Sequence, residues 1–190
     1  MKLPRRTEPV DRRIRRTRAA LFTAAVRVVG ERGTTEVSVT ELAEAADVSR
    51  RVLYQHFGDR DSVLVAATVD LIAQNDFSEL IQDPAEPDSA VALARRFADN
   101  RSFFRAVLTG SCAYAVTRTV AELVRPHSIA SARRRFADID DRLAGDIADY
   151  FTGGTIMALT RWLCEGPDPL DPKSFVASLV RVQDAISHPA

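Results

Sequence analysis

Residues 38–57 constrain this chain more than any other stretch. Ser38-Val39-Thr40-Glu41 has the spacing of a capping box. In such a box the serine hydroxyl accepts from the amide three residues on, and the glutamate reaches back to the serine amide. A helix opens there over 39–46, with Leu42, Ala43 and Ala46 on its inner face. Asp47 ends it, aspartate being one of the few residues other than glycine that tolerates the left-handed region. Ser49 caps a second short helix over 50–57, on which Leu53 and Phe57 lie four apart and share a face. Two short capped helices joined by Asp47-Val48-Ser49 are what a helix-turn-helix requires, with Ala43 small enough for a close crossing and Val48 plugging the turn.

The second of these helices directs Arg50, Arg51, Gln55 and His56 away from the core face. Arginine forks onto guanine O6 and N7, and glutamine onto adenine N6 and N7. Tyr54 and His56 can donate to phosphate oxygens. Taken singly, each has a plainer reading: Tyr54 as packing against the first helix, the others as solvated surface. The charge distribution favours the nucleic-acid reading. Residues 1–58 hold 12 Lys+Arg against 7 Asp+Glu, whereas residues 59–190 hold 14 against 19. A basic head of +5 on an acidic body of −5 points the head at a polyanion.

The rest of the chain also reads as helix, without sustained period-two alternation between turn signals. Residues 1–10 form a flexible basic arm, and a first helix runs from Asp11 to Arg32 with Ile14, Leu21, Ala25, Val28 and Val29 along one stripe, widened by Phe22 and Val26. Gly33 caps its end. Gly58-Asp59 separates the second short helix from one over 60–81, and 83–88 is a loop. Ser89 caps a helix to Ala98, a short one covers 102–108, and another runs from Gly110-Ser111 to Val124. Arg125-Pro126-His127 is expected to break the chain, with a short helix after it, a long one over 138–165, a stop at Gly166-Pro167-Asp168-Pro169 and a last helix over 172–187. The expected fold is all-α, with about nine helices: a helix-turn-helix DNA-binding domain of three helices over 11–58 and a larger helical domain over 59–190.

Residues 40–64, Thr-Glu-Leu-Ala-Glu-Ala-Ala-Asp-Val-Ser-Arg-Arg-Val-Leu-Tyr-Gln-His-Phe-Gly-Asp-Arg-Asp-Ser-Val-Leu, resemble the signature of the TetR family of repressors, and the helix ending Val28-Val29-Gly30-Glu31-Arg32-Gly33 is similar to that family's first helix. The resemblance implies that Ser38, Thr40 and Ser49 touch phosphates at helix starts, and that Arg50, Arg51, Val52 and Gln55 face the major groove. It implies that Tyr54 and His56 clamp the backbone and that Arg60 reaches a phosphate from the start of the fourth helix. Two departures stand out: Asp47 replaces a usual glycine, and Arg51 and Val52 occupy positions where small or hydroxyl residues are commoner. Base preference therefore does not carry over. Arg12, Arg13, Arg15, Arg16 and Arg18 are expected to track phosphates, while Arg5 and Arg6 are left open.

The resemblance further implies that 59–190 is a ligand-binding and dimerisation domain: a homodimer, with the last two long helices pairing with those of a second chain, and a small, hydrophobic effector. Phe97, Phe103, Phe104, Leu108, Tyr114 and Trp162 are candidate lining for its pocket, with a filled core as the alternative. A dimer reads a palindromic operator of double-stranded DNA. No stretch is as long and apolar as a membrane helix, and no signal peptide is evident, so a cytoplasmic protein is expected, with Cys112 and Cys164 reduced and buried. No cofactor, metal site or catalytic group is expected: there is no zinc spacing, phosphate loop or nucleophile elbow, and His127 and Cys112 have no evident acidic partner. The competing readings are a helical module that binds DNA without sequence choice, and an enzyme.

Overall fold

The structure, a computed structural model, describes residues 8–73, 87–136 and 138–187. Among these it contains nine helices and no strand: α1 (Glu8–Arg32), α2 (Val39–Ala45), α3 (Arg50–Phe57), α4 (Arg60–Ala73), α5 (Pro87–Asp99), α6 (Arg101–Thr109), α7 (Ala113–Arg135), α8 (Asp141–Glu165) and α9 (Pro172–Ser187). The expected arm falls mostly on residues 1–7, outside the described residues, and α1 begins three residues earlier than the sequence suggests. The tail of the expected fourth helix and most of the 83–88 loop also lie outside. Pro87 and Asp88, read as loop, are helical: proline suits a first helical position because its missing N–H would have no intrahelical partner there.

Helix α1 is the spar of the molecule. Leu21, Ala25 and Val29 are fully buried, and the helix packs against α2, α4 and α6. Ile14, expected on the same stripe, is 38% exposed, because the elements covering α1 reach only its C-terminal two thirds. One buried cluster runs without interruption from Leu21 and Val29 through Leu42 and Leu53 to Phe103, Phe104, Val107 and Leu163. Gly33 takes a φ of +65° and its amide closes on the Val29 carbonyl at 2.8 Å, so the chain turns off α1 as a glycine cap allows.

The expected break at 125–127 is absent. α7 continues through Pro126 as a single helix of 23 residues. Proline removes one backbone donor and crowds the preceding turn, but both halves of α7 are fastened to α8, the most extensive helix pairing in the fold. Arg125 Nε donates to Asp149 Oδ1 at 3.2 Å, Ser128 and Thr152 hydroxyls meet at 3.1 Å, and Arg133 Nη2 donates to Asp141 Oδ1 at 2.6 Å. Ala132, Ala144, Gly145 and Ala148 are buried in this seam, where small side chains let the two backbones approach. α8 starts at Asp141 rather than 138 because Asp140 is the cap, its carboxylate accepting from the Leu143 amide at 2.7 Å. Of the two free cysteines, Cys112 is buried and Cys164 only half-buried.

Candidate nucleic-acid interface and effector cavity

The short helices α2 and α3 are held by local bonds of the kind their sequence encodes. Ser38 Oγ accepts from the Glu41 amide at 3.1 Å while Glu41 Oε2 accepts from the Ser38 amide at 2.8 Å. These bonds, with the Arg32 guanidinium paired to Glu41, hold the Glu41 carboxyl below its ordinary value. Asp47 adopts a φ of +53° in the turn, and the Val48 amide closes on the Ala43 carbonyl at 2.9 Å. Ser49 Oγ accepts from the Val52 amide at 3.3 Å. A serine hydroxyl that accepts from an amide keeps its own proton to donate outward, so Ser38 and Ser49 retain a donor at their helix starts.

The two faces of α3 are sharply different. Leu53 is fully buried, and Phe57 meets Phe22 edge to face at 5.6 Å. On the other side Arg50, Arg51 and Gln55 are exposed and Tyr54 is 52% exposed. Ser38 and Ser49 are exposed at the mouths of the two helices, while Thr40, Val52 and His56 are half-buried beside them. All of these expected interface residues are thus exposed or half-buried, and Arg60, also half-buried, is engaged within the chain. Its Nε donates to Asp61 Oδ1 at 2.7 Å and its Nη2 to Ser111 Oγ at 3.0 Å. Ser111 also links to the buried Thr35, whose Oγ1 accepts from the Ser111 amide at 3.3 Å. Arg60 thus ties α4 to the α6–α7 turn instead of projecting freely. Gly110 completes this junction: a Cβ there would lie 2.3 Å from Thr35 Oγ1. Sequence reading missed the junction, since its partners are about fifty residues or more apart.

On α1, Arg12, Arg13, Arg15 and Arg16 are exposed and extend the basic surface. Arg18 lies over the rings of Phe22 and Phe57, at 5.5 and 5.0 Å, and acts as a strut between α1 and α3. Its i, i+4 spacing to Phe22 is the signal that would have revealed this.

A cavity of about 390 Å³ opens among α4, α5, α7, α8 and α9. Of the six expected lining residues only Phe97 borders it. Phe103 and Phe104 are consumed in the core against α1, with Phe104 edge-on to Phe97 at 4.5 Å. Leu108 also packs on the core. Tyr114 is 79% exposed because Cys112 and Val116 take the inward positions at the start of α7. Trp162 stacks on Phe175 at 4.4 Å and so stands behind the cavity wall, not in it. The wall is built instead from Val124, Phe151, Leu159, Phe175 and Leu179, residues the sequence places in helices without showing which face turns inward. Among the described residues no cluster of His, Cys, Asp and Glu could hold a metal, and no helix is long and apolar enough to cross a membrane.

Two short helices seated on α1, backed by a larger helical body with its own cavity, have the architecture of a helix-turn-helix protein. Residues 21–67, from the middle of α1 into α4, match the model of bacterial regulatory proteins of the tetR family. The chain is 36% identical over 67 residues to the HTH-type transcriptional regulator BetI of Rhizobium meliloti and 30% identical over 87 residues to BetI of Brucella canis. These alignments cover 35% and 45% of this chain and 30% and 41% of the relatives, less than half their length. The whole fold is similar to that of Thermus thermophilus FadR, a TetR-family repressor crystallised with lauroyl-CoA (TM-score 0.60, 20% identity, 87% of this chain and 92% of that one). It is similar also to NalD, the secondary repressor of the MexAB-OprM multidrug efflux pump in Pseudomonas aeruginosa (TM-score 0.59, 19% identity, 87% and 93%).

Proposed function

We propose that this chain is a homodimeric, sequence-specific transcriptional repressor that binds a palindromic operator and leaves it when a small molecule occupies the cavity. The observation that carries this reading is the division of α3: Leu53 is fully buried while Arg50, Arg51, Tyr54 and Gln55 on the opposite side all reach solvent. In the proposed complex Arg50, Arg51, Val52 and Gln55 meet base edges, while Ser38, Thr40, Ser49, Tyr54 and His56 meet phosphates. Arg60 positions α4 instead of contacting DNA. The chain divides functionally near residue 58 into the reading head and the effector-binding body, and it works in the cytoplasm with the chromosome.

The dimer reading has its own support. Leu143, Tyr150 and Met157 form an exposed apolar stripe on α8, with Val180, Val182 and Ile186 exposed on α9. Gly153 and Gly154 lie in the α8 stripe, and a Cβ built on either meets nothing within 4 Å. Two glycines in a helix interior cost roughly 1 kcal/mol each against alanine. Among the described residues no neighbour uses the space they leave, so a second chain's helix is the natural occupant. Two α3 helices related by a two-fold axis then read half-sites about one DNA turn apart or somewhat wider.

The test is selection of bound duplexes from a random pool by the full-length protein. Enrichment of an inverted repeat is the expected result. Retention of the pool without any enriched sequence would establish the rival reading, a module that binds DNA without choice.

A further inference from the structure

Of the two buried polar side chains among the described residues, Thr68 donates to the Leu64 carbonyl inside its own helix, whereas Thr35 bonds across the fold. Thr35 lies in the connector between α1 and α2 and is 2% exposed. Its Oγ1 accepts from the Ser111 amide at 3.3 Å and stands 3.4 Å from Ser111 Oγ. Ser111 Oγ in turn accepts from Arg60 Nη2 at 3.0 Å and donates to Asp61 Oδ1 at 3.4 Å. The α1–α2 connector, the α6–α7 turn and the start of α4 therefore meet at one point. The fit leaves no slack: a Cβ on Gly110 would press into Thr35 and lie 2.6 Å from the Ala106 carbonyl oxygen.

The chain leads away from this point stiffly on both sides. Toward α3, the Val37 amide closes on the Thr35 carbonyl at 2.8 Å, Ser38 caps α2, and the Val48 amide fastens the next turn to Ala43 at 2.9 Å. Toward the body, the Gly110 amide closes on the Ala106 carbonyl at 2.8 Å and the Val116 amide on the Cys112 carbonyl at 2.9 Å. α7 is then seated on α8, which carries the exposed apolar stripe of the proposed dimer contact. Apolar burial along α1 holds head and body together but has no preferred direction. Hydrogen bonds of fixed length and angle select one orientation.

We infer that the Thr35–Ser111 junction sets the distance between the two reading heads of the dimer, and with it the number of base pairs between operator half-sites. This rests on the proposal that the chain reads an inverted repeat as a dimer. Thr35 and Ser111 are positioning residues: they act through the placement of α2 and α3 and not on the DNA. A displacement of α3 by about 3.4 Å along the duplex is one base pair, so a small tilt at the junction changes the spacing that two heads can span.

The full-length parent, Thr35→Val, Thr35→Ser and Ser111→Ala are each put through selection from a random pool. Their affinities are then measured for a single half-site and for inverted repeats whose spacers differ by single base pairs. The parent is expected to prefer one spacer. Thr35→Val keeps the shape of the side chain and loses its acceptor. It should enrich the same half-sites over a spread of spacers, with the advantage of the preferred spacer reduced about tenfold and half-site affinity within about twofold of the parent's. Ser111→Ala keeps the amide bond to Thr35 and loses the hydroxyl, so it should move the same way by less; at an exposed position, it also guards against a folding defect in the first variant. Thr35→Ser, which keeps the hydroxyl, should restore the parent's spacer. Thr35→Val and Ser111→Ala proteins with the parent's spacer preference would overturn the assignment. So would half-site and repeat affinities that fall by the same factor in both, the behaviour of a damaged head and not of a misplaced one. A parent that enriches no inverted repeat would bring down the operator reading and this assignment with it, so the parent alone tells the two failures apart.

Discussion

Several side chains in this molecule do their work by holding nearby backbone amides. Glu41 accepts from the Ser38 amide, Asp59 from the Ser62 amide and Asp171 from Lys173 and Ser174. Each bond favours the ionised carboxylate, and all three carboxyls titrate below their ordinary values of 4.5 for Glu41 and 3.8 for the aspartates. The unfolded chain therefore takes up protons before the folded one does, and folding is favoured above the ordinary range. That contribution disappears as pH falls through the lowered values. Urea midpoints measured against pH should hold steady above about 4.5 and drop below it, and Glu41→Gln should show a shallower acid slope. Cysteine chemistry divides in the same residue-by-residue way. Burial first, and then the nearby Asp61 carboxylate, push the Cys112 thiol up to about 11. Cys164 is half-buried. Iodoacetamide at neutral pH should label Cys164 in the folded protein and Cys112 only after denaturation, as peptide mass mapping would show. Cys112 reacting at the same rate would mean that its burial is wrong.

Helices α2 and α3 form a unit whose anchored and outward faces can be tested separately. Arg50→Ala or Gln55→Ala should relax preference at one position of each half-site by roughly 1–3 kcal/mol. Tyr54→Phe, which removes only the hydroxyl proposed to meet a phosphate, should weaken binding to all sequences alike. Competition of the selected operator against single-base variants distinguishes the two outcomes, and an Arg50→Ala protein with unaltered preference would take that side chain out of the readout. The sequence revealed this unit well because its determinants are local: Ser38 with Glu41, Asp47 in the turn, Ser49 with Val52, and the Leu53–Phe57 spacing all act within one or two helical turns. The failures are all tertiary. Pro126 reads as a break until Asp149 and Thr152 of α8 are seen holding α7 on both sides of it. The bond from Arg60 to Ser111, fifty-one residues away, is likewise invisible in the sequence. Phe103 and Tyr114 are both aromatic, yet one is core and the other solvent-facing, because helix rotation is set by what packs against it.

The molecule as a whole leaves one face unfinished. Tyr150 and Met157 are 68% and 70% exposed on α8 and border the bare backbone of Gly153 and Gly154. Met157→Glu should place a charge in the proposed contact and convert the proposed dimer to a monomer of 20.9 kDa by light scattering. Its melting temperature should change little at low concentration, and its affinity for an inverted repeat should collapse toward that for a half-site. A variant that remains dimeric would move the interface elsewhere.

The shared burial of α1 carries a practical corollary. Val29 belongs to the same apolar cluster as Leu42 and Leu53 on one side and Phe103 and Val107 on the other, and there is no layer of solvent at which the two could be parted. A clone ending after residue 58 would strip α4 and α6 from α1 and lay bare a greasy ridge along it. Such a fragment should be sticky and poorly folded, so the proposed DNA binding is to be tested on all 190 residues rather than on the first 58.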